Sequence, residues 1–110
     1  MTFAYQMPRK CVQNKKRKHT KRQVLQKIIE RVFKHFDYEC AYCGAEAESI
    51  DHIIPRHKGG DNSPNNLVSA CIDCNHRKGT KLLEDWYTKS NHDDFTDYRC
   101  EKIKAWRGIA

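Results

Sequence analysis

Two cysteine pairs constrain the fold of this chain more than any other feature of its sequence. Each pair has the spacing Cys-x-x-Cys, and 27 residues separate the first pair from the second. Two such pairs commonly present four thiolates in a tetrahedron around zinc. We therefore predict a structural zinc ion with four ligands: Cys40, Cys43, Cys71 and Cys74. Redox chemistry and disulfide bonding are the alternatives. For the two remaining cysteines, Cys11 and Cys100, we predict no role.

A bound metal matters here because the chain has little apolar material. It has 110 residues and a mass of 13.0 kDa, with 38% hydrophobic and 32% charged residues. Such a chain makes one small domain with a thin core. A structural metal can add ~10 kcal/mol or more of binding free energy to folding. No apolar run reaches the roughly 20 residues of a bilayer span, and the first residues, MTFAYQMPRKC, lack an apolar signal core. We therefore expect neither a membrane protein nor a secreted one.

Charge is distributed unevenly along the chain. Residues 1–36 carry eleven Lys or Arg and one acid, a net charge of +10, whereas residues 37–110 carry ten Lys or Arg and thirteen acids, a net charge of −3. A basic first third favours a polyanionic partner, with DNA or RNA leading because phosphate neutralisation releases counterions. A solvated basic tail is the alternative. An anionic membrane surface is disfavoured because the basic run lacks interleaved apolar anchors.

Hydrophobic periodicity and turn residues predict the order of the elements. We expect a flexible basic arm over residues 1–19 and a single domain over residues 20–110. Within that domain the predicted elements are a helix over 20–36 with Thr20 as its N-cap, a strand over 48–54 ended by Pro55, a loop over 57–66, a strand over 67–70, a helix over 72–79 stopped by Gly79, a helical turn over 81–88, and a last helix over 93–107. The last helix is expected to pack three aromatic residues on the core: Phe95, Tyr98 and Trp106.

Further motifs lie between and around the cysteine pairs. In chain order the set reads Cys40-x-x-Cys43, Asp51-His52-Ile53-Ile54-Pro55, Gly59-Gly60, Asn65-Asn66-Leu67-Val68 and Cys71-x-x-Cys74-Asn75-x-x-Lys78-Gly79. Each motif alone is common, but in this order they resemble the HNH nuclease family, and the resemblance covers residues 40–81. It implies an α+β protein with a small ββα-metal core held by the four-cysteine zinc site, here flanked by N- and C-terminal helices.

The resemblance also implies roles for individual side chains. His52 is the general base that activates water, while Asp51 and Asn75 hold a catalytic Mg²⁺ or Mn²⁺. Asn66 fixes the loop and orients the His52 ring. These residue types suit phosphodiester hydrolysis on chemical grounds too, because an imidazole titrates near neutrality and hard oxygens suit Mg²⁺. Asn75 stands where some family members have His. The expected products are a 5′-phosphate and a 3′-hydroxyl.

Two points about these side chains remain open in the sequence. Asp51 and His52 are neighbours, and side chains on a regular strand alternate faces. Both reach one site only if the strand ends, twists or bulges there. His76 is a candidate third metal ligand, but adjacent helix positions lie about 100° apart, which disfavours it. For His57 we expect a solvated or phosphate-facing position.

The resulting prediction is a metal-dependent endonuclease that nicks or cuts duplex DNA, as a monomer or weak homodimer, in the cytoplasm (of the host cell if phage-encoded). Its size and motifs resemble those of stand-alone nucleases of phages and mobile elements, including homing and packaging-associated nucleases, and restriction of foreign DNA is an alternative role. The expected nucleic-acid contacts are Lys15, Lys16, Arg17, Lys18, Arg56, Lys58, Arg77 and Lys78. Three alternatives remain: a zinc-containing nucleic-acid-binding module without catalysis, an RNA-directed nuclease or RNA-binding protein, and a protein-interaction domain that uses the helix at 20–36.

Overall fold

The computed structural model describes residues 20–108, so the predicted arm over residues 1–19 lies outside the described part. Within residues 20–108 the elements are α1 (Lys21–His35), β1 (Ser49–His52), β2 (Leu67–Ala70), α2 (Ile72–Lys78), α3 (Leu83–Trp86) and α4 (Asp97–Arg107), with 3₁₀ turns at Arg56–Lys58 and Pro64–Asn66. This order confirms the predicted α+β class with a β-β-α core flanked by helices. In this part of the chain no helix has the length and apolar character needed to cross a membrane.

Helix α1 begins where the sequence predicts. The Thr20 side chain accepts a hydrogen bond from the Gln23 backbone N–H, and the Gln23 side chain accepts one from the Thr20 N–H. This capping box satisfies two backbone donors, and an N-cap of this kind contributes about 0.5–2 kcal/mol to stability. The apolar face of α1 is buried through Ile29, Val32 and Phe33, and it packs against β2 and the second 3₁₀ turn. The apolar face of α1 is therefore part of the core.

The two strands form an antiparallel pair with Ser49 opposite Ala70 and His52 opposite Leu67. Strand β2 is buried at all four positions, whereas β1 is buried at three and half-buried at His52. The end of β1 at His52 is therefore its most exposed position. The loop over residues 53–66 connects β1 to β2 at this end of the sheet.

Helix α2 follows β2 directly and carries the second cysteine pair. Cys71 is its N-cap, and its Sγ accepts from the Cys74 backbone N–H at 3.3 Å. The helix ends at Gly79, whose φ of 54° lies in the left-handed region that glycine tolerates. Its bounds match the predicted ones within one residue.

The C-terminal helices are shorter than predicted. Helix α4 starts at Asp97 rather than residue 93, because Thr96 caps it by accepting from the Arg99 N–H. Trp106 is buried as predicted, and its Nε1 donates to the carbonyls of Pro64 and Leu67, both at 2.8 Å.

Of the other two aromatic residues expected on the core, Phe95 is half-buried and packs on Tyr87, with ring centroids 4.9 Å apart. The prediction for Tyr98 is wrong, since 74% of it is exposed. Tyr98 lies five positions before the buried Ile103, which turns it about 140° away from that residue around the helix.

Candidate metal centre and active site

The four cysteines of the two pairs converge on one point. All four Sγ atoms lie within 4.8 Å of one another. A tetrahedral zinc with Zn–S bonds of about 2.3 Å places its sulfurs about 3.8 Å apart. The Sγ atoms of Cys43 and Cys71 are 3.7 Å apart, and the Ala45 backbone N–H points at the Cys43 Sγ from 3.5 Å. The cluster therefore fits a tetrahedrally bound metal ion.

The proton chemistry of the cluster also suits a cation. A hydrogen bond from the Cys74 thiol lowers the pKa of Cys40 to about 5. Burial raises the pKa of Cys43 to about 11, and the bond to Cys40 raises the pKa of Cys74. The raised pKa values of Cys43 and Cys74 favour their protonated thiols. A divalent ion would replace those protons and allow all four to ionise.

A histidine for which the sequence predicts no role lies against this cluster. His92 is 1% exposed, and its Nε2 is 3.3 Å from the Cys74 Sγ. The Asp94 backbone N–H donates to its Nδ1 at 3.0 Å, so Nδ1 is the acceptor and Nε2 carries the proton. Its ring packs edge-on against Trp86 and Tyr87. Burial lowers the pKa of His92, which favours this neutral ring. His92 therefore donates a hydrogen bond to a cluster sulfur.

The second site is a cavity of about 300 Å³ beside the end of β1. Asp51, His52 and Asn75 all line it, with Arg56 and His57 at its wall. The structure thus brings together the three side chains that the sequence places in metal binding and proton transfer. Because His52 is the last residue of β1, both it and Asp51 reach the same cavity despite being neighbours.

Asp51 enters this cavity from a buried position. It is 4% exposed, and its Oδ2 accepts from the Tyr42 hydroxyl at 2.6 Å and lies 3.1 Å from the Lys78 Nζ. Burial raises the pKa of the Asp51 carboxyl, while the charge of Lys78 and the Tyr42 hydrogen bond oppose that rise. Both contacts are made to Oδ2. Among the described residues this leaves Oδ1 as the carboxylate oxygen available to a metal ion.

The prediction that Lys78 contacts phosphate is wrong. Its side chain is fully buried, and besides Asp51 its Nζ donates to the carbonyls of His52 and Ile53 at 3.0 and 3.2 Å. As the last residue of α2, Lys78 faces the end of β1 rather than solvent. It acts as an internal cation that holds the strand end and its carboxylate.

Asn75 is fixed on the other side of the cavity. Its Nδ2 donates to the Ser49 Oγ at 3.0 Å and to the Ile50 carbonyl at 3.1 Å. With both hydrogens directed at β1, the amide oxygen points away from the strand. Asp51 and Asn75 thus supply two hard oxygens on one cavity, a donor set that fits an ion such as Mg²⁺, which keeps several waters.

Asn66 fixes the loop after β1 but does not contact the His52 ring. Its side chain accepts from the Ile54 N–H at 2.9 Å and donates to the carbonyls of Ile54 and Asp61. The ring is held instead by Asn62, whose Oδ1 is 2.8 Å from the His52 Nε2. The sequence offers three asparagines in this loop and no signal that separates them, which is why Asn62 was missed.

The remaining predicted contacts for nucleic acid are spread over the surface. Arg56 and His57 line the cavity, Lys58 is exposed in the same turn, and Arg77 is exposed on α2 in an ion pair with Asp73. The exposed His76 does not line the cavity that Asn75 lines, as the helix geometry predicts. Four predicted contacts lie outside the described residues: Lys15, Lys16, Arg17 and Lys18.

Known proteins match the part of the chain that carries both sites. The family model described as HNH endonuclease matches residues 40–89. YoqL of Bacillus subtilis strain 168, whose name describes a SPbeta prophage-derived protein assigned to the HNH endonucleases, is 31% identical over 103 residues, covering 80% of this chain and 43% of YoqL.

A segment of the CRISPR-associated endonuclease Cas9 of Corynebacterium diphtheriae is 40% identical over 53 residues, covering 44% of this chain and 5% of that Cas9. The chain thus spans less than half the length of both these curated relatives. Together with the cysteine cluster and the β-β-α cavity, these matches show that residues 40–89 form a domain of the HNH endonuclease family.

Proposed function

We propose that this protein is a metal-dependent DNA endonuclease that hydrolyses phosphodiester bonds in duplex DNA. The observation that carries the proposal is the convergence of Asp51, His52 and Asn75 on one cavity in an HNH domain. That cavity offers an imidazole and two hard oxygens, with an arginine at its wall. Those are the groups that water activation, metal binding and phosphate binding require.

In this proposal His52 acts as the general base. Its imidazole takes a proton from the water that attacks the scissile phosphorus. The bond between phosphorus and the 3′ oxygen breaks, and the departing oxygen takes a proton from solvent, which leaves a 5′-phosphate and a 3′-hydroxyl. Asp51 and Asn75 would hold Mg²⁺ or Mn²⁺, and such an ion neutralises charge on the phosphoryl and leaving oxygens. Lys78 supports the site by keeping a positive charge beside the buried Asp51. Arg56 would contact a phosphate oxygen at the cavity wall.

The cysteine cluster takes a different role. Four cysteine ligands close the tetrahedral coordination shell and leave no position for a catalytic water. We therefore assign it one structural zinc ion, which joins residues 40–43 to the start of α2. Catalysis belongs to the oxygen-lined cavity.

The basic first third of the chain would bind the DNA backbone. Lys21 and Arg22 are exposed at the start of α1, and the same helix passes beside His52, since Leu25 and Ile29 line a small cavity with it. One active site cuts one strand, so a double-strand break takes two copies or two events. The prophage origin in the name of YoqL supports a phage or mobile-element role, such as homing or packaging.

The test is a nicking assay on supercoiled plasmid with the zinc-containing protein. We expect nicked circles with Mg²⁺ or Mn²⁺ and none when a chelator removes the added ion. Incubating the protein with single-stranded RNA under the same conditions, and measuring its cleavage, distinguishes a DNA nuclease from an RNA nuclease. A zinc-containing, folded protein that binds the plasmid but never nicks it with either ion would contradict the proposal. It would then identify a binding module.

A further inference from the structure

We propose that Asn62 is a positioning residue that sets the tautomer of His52, with the proton on Nε2 and Nδ1 left as the nitrogen that accepts the proton from water. The role of Nδ1 in hydrolysis rests on the proposed function. The tautomer itself rests only on the contact between the two side chains.

The first step is the direction of the hydrogen bond. The Asn62 Oδ1 lies 2.8 Å from the His52 Nε2. An amide oxygen has no hydrogen and can only accept, so the Nε2 nitrogen must be the donor. A neutral imidazole carries one N–H, and placing it on Nε2 leaves the lone pair of Nδ1 free. A general base needs such a lone pair directed at the water it activates.

The second step is where the two ring nitrogens lie. His52 lines both the cavity of Asp51 and Asn75 and a smaller one of about 150 Å³ next to α1. Of these two cavities, Asn62 lines the smaller one. The nitrogen bound to Asn62 therefore lies on the α1 side of the ring. We infer that Nδ1 lies on the side of the larger cavity.

The third step is that the loop holds Asn62 in place from both neighbours. Asn66 donates to the Asp61 carbonyl at 2.9 Å, and the Asp61 side chain accepts from the Ser63 N–H at 3.1 Å. These bonds fix the backbone directly before and after Asn62. Asn66 thus acts on His52 indirectly, by fixing the segment that presents Asn62.

The experiment compares substitutions of similar size in the full-length, zinc-containing protein. Asn62→Asp keeps an oxygen acceptor, whereas Asn62→Leu keeps the branched shape of the side chain and removes the acceptor. Asn65→Leu is the matched control, because Asn65 lies in the same loop but donates to the Arg107 carbonyl. The readouts are the ¹⁵N chemical shifts of the His52 ring, which report the tautomer, and kcat and KM for plasmid nicking.

We expect the Nε2–H tautomer in the wild type, in Asn62→Asp and in Asn65→Leu. In Asn62→Leu we expect the preference for the Nε2–H tautomer to be lost. We expect kcat to fall by about 10- to 100-fold, which is less than the full cost of removing a general base, and KM to stay unchanged. Asn62→Ala gives the same comparison if the leucine variant does not fold.

A wild-type His52 ring protonated on Nδ1 would overturn the proposal. So would an acceptor-free variant with the wild-type tautomer and kcat. His52→Ala that nicks like the wild type would instead remove His52 as the base. The two failures are distinguishable because the tautomer is measured without cleavage.

Discussion

The cysteine cluster and the Asp51 cavity both use residues of helix α2, yet they offer different ligand atoms. The cluster has four sulfur donors, three of them on buried residues, and it fits a closed tetrahedron. The cavity has two oxygen donors, an imidazole and about 300 Å³ of space. Four sulfur ligands fill a tetrahedral coordination shell, which suits a structural ion. Two oxygen ligands leave coordination positions for water and substrate. In the proposed function, the cluster therefore stabilises the domain and the cavity performs its chemistry.

Helix α2 couples the two sites through adjacent residues. Cys74 points into the cluster while Asn75 hydrogen-bonds to β1. Losing the cluster should therefore destroy the cavity as well, whereas altering the cavity should spare the cluster.

The largest effect should follow from breaking the cluster. We expect Cys74→Ser to abolish zinc binding and unfold or aggregate the chain, because the metal contributes ~10 kcal/mol or more to folding. Elemental analysis and circular dichroism measure both outcomes. Cys100→Ser is the control, since Cys100 lies outside the cluster. A well-folded Cys74→Ser protein, or wild-type protein without zinc, would contradict a structural role.

The next effect should come from the buried ion pair. Lys78→Met leaves the Asp51 carboxylate without its cation and removes two donors to backbone carbonyls. We expect a loss of about 3–5 kcal/mol in the free energy of unfolding, measured by urea denaturation. Lys81→Met is the control on an exposed lysine. Equal stability of the two variants would show that the Asp51–Lys78 pair does not support the strand end.

A smaller effect should come from the hydrogen bond between His92 and Cys74. His92→Phe keeps an aromatic ring against Trp86 and Tyr87 but removes the donor to the sulfur. We expect zinc affinity to fall by about 10- to 100-fold, measured by competition with a chromophoric chelator. His57→Phe, a substitution at an exposed site, should leave zinc affinity unchanged. Wild-type affinity in His92→Phe would mean that the contact contributes only packing.

The smallest effect on cleavage should come from the basic arm. Replacing Lys15, Lys16, Arg17 and Lys18 by glutamine should weaken DNA binding. It should also reduce the salt dependence of log K by about 0.9 for each lost phosphate contact on duplex DNA. The rate at saturating DNA should change little. An unchanged salt dependence would identify the segment as a solvated tail.

The sequence predicts local features of this fold well and side-chain contacts across it poorly. Thr20 and the bounds of β2 follow from capping and from flanking turn residues, which are local in the chain. The prediction that Lys78 contacts phosphate failed because the seven-residue helix α2 is too short for its hydrophobic periodicity to show which face is buried. Asn62 contacts His52, which is 10 residues away, and His92 contacts Cys74, which is 18 residues away. No motif spacing in the sequence predicts either pair.

The division between a structural cluster and a catalytic cavity is tested most directly by His52→Ala, with zinc content, melting temperature, DNA binding and plasmid nicking measured on the same preparation. We predict one zinc per chain, nearly unchanged melting and DNA binding, and a nicking rate reduced by ~10²–10⁴-fold, the usual cost of losing a general base. His76→Ala, at an exposed position on α2, should nick like the wild type. Wild-type nicking by His52→Ala, or loss of its zinc, would contradict the division.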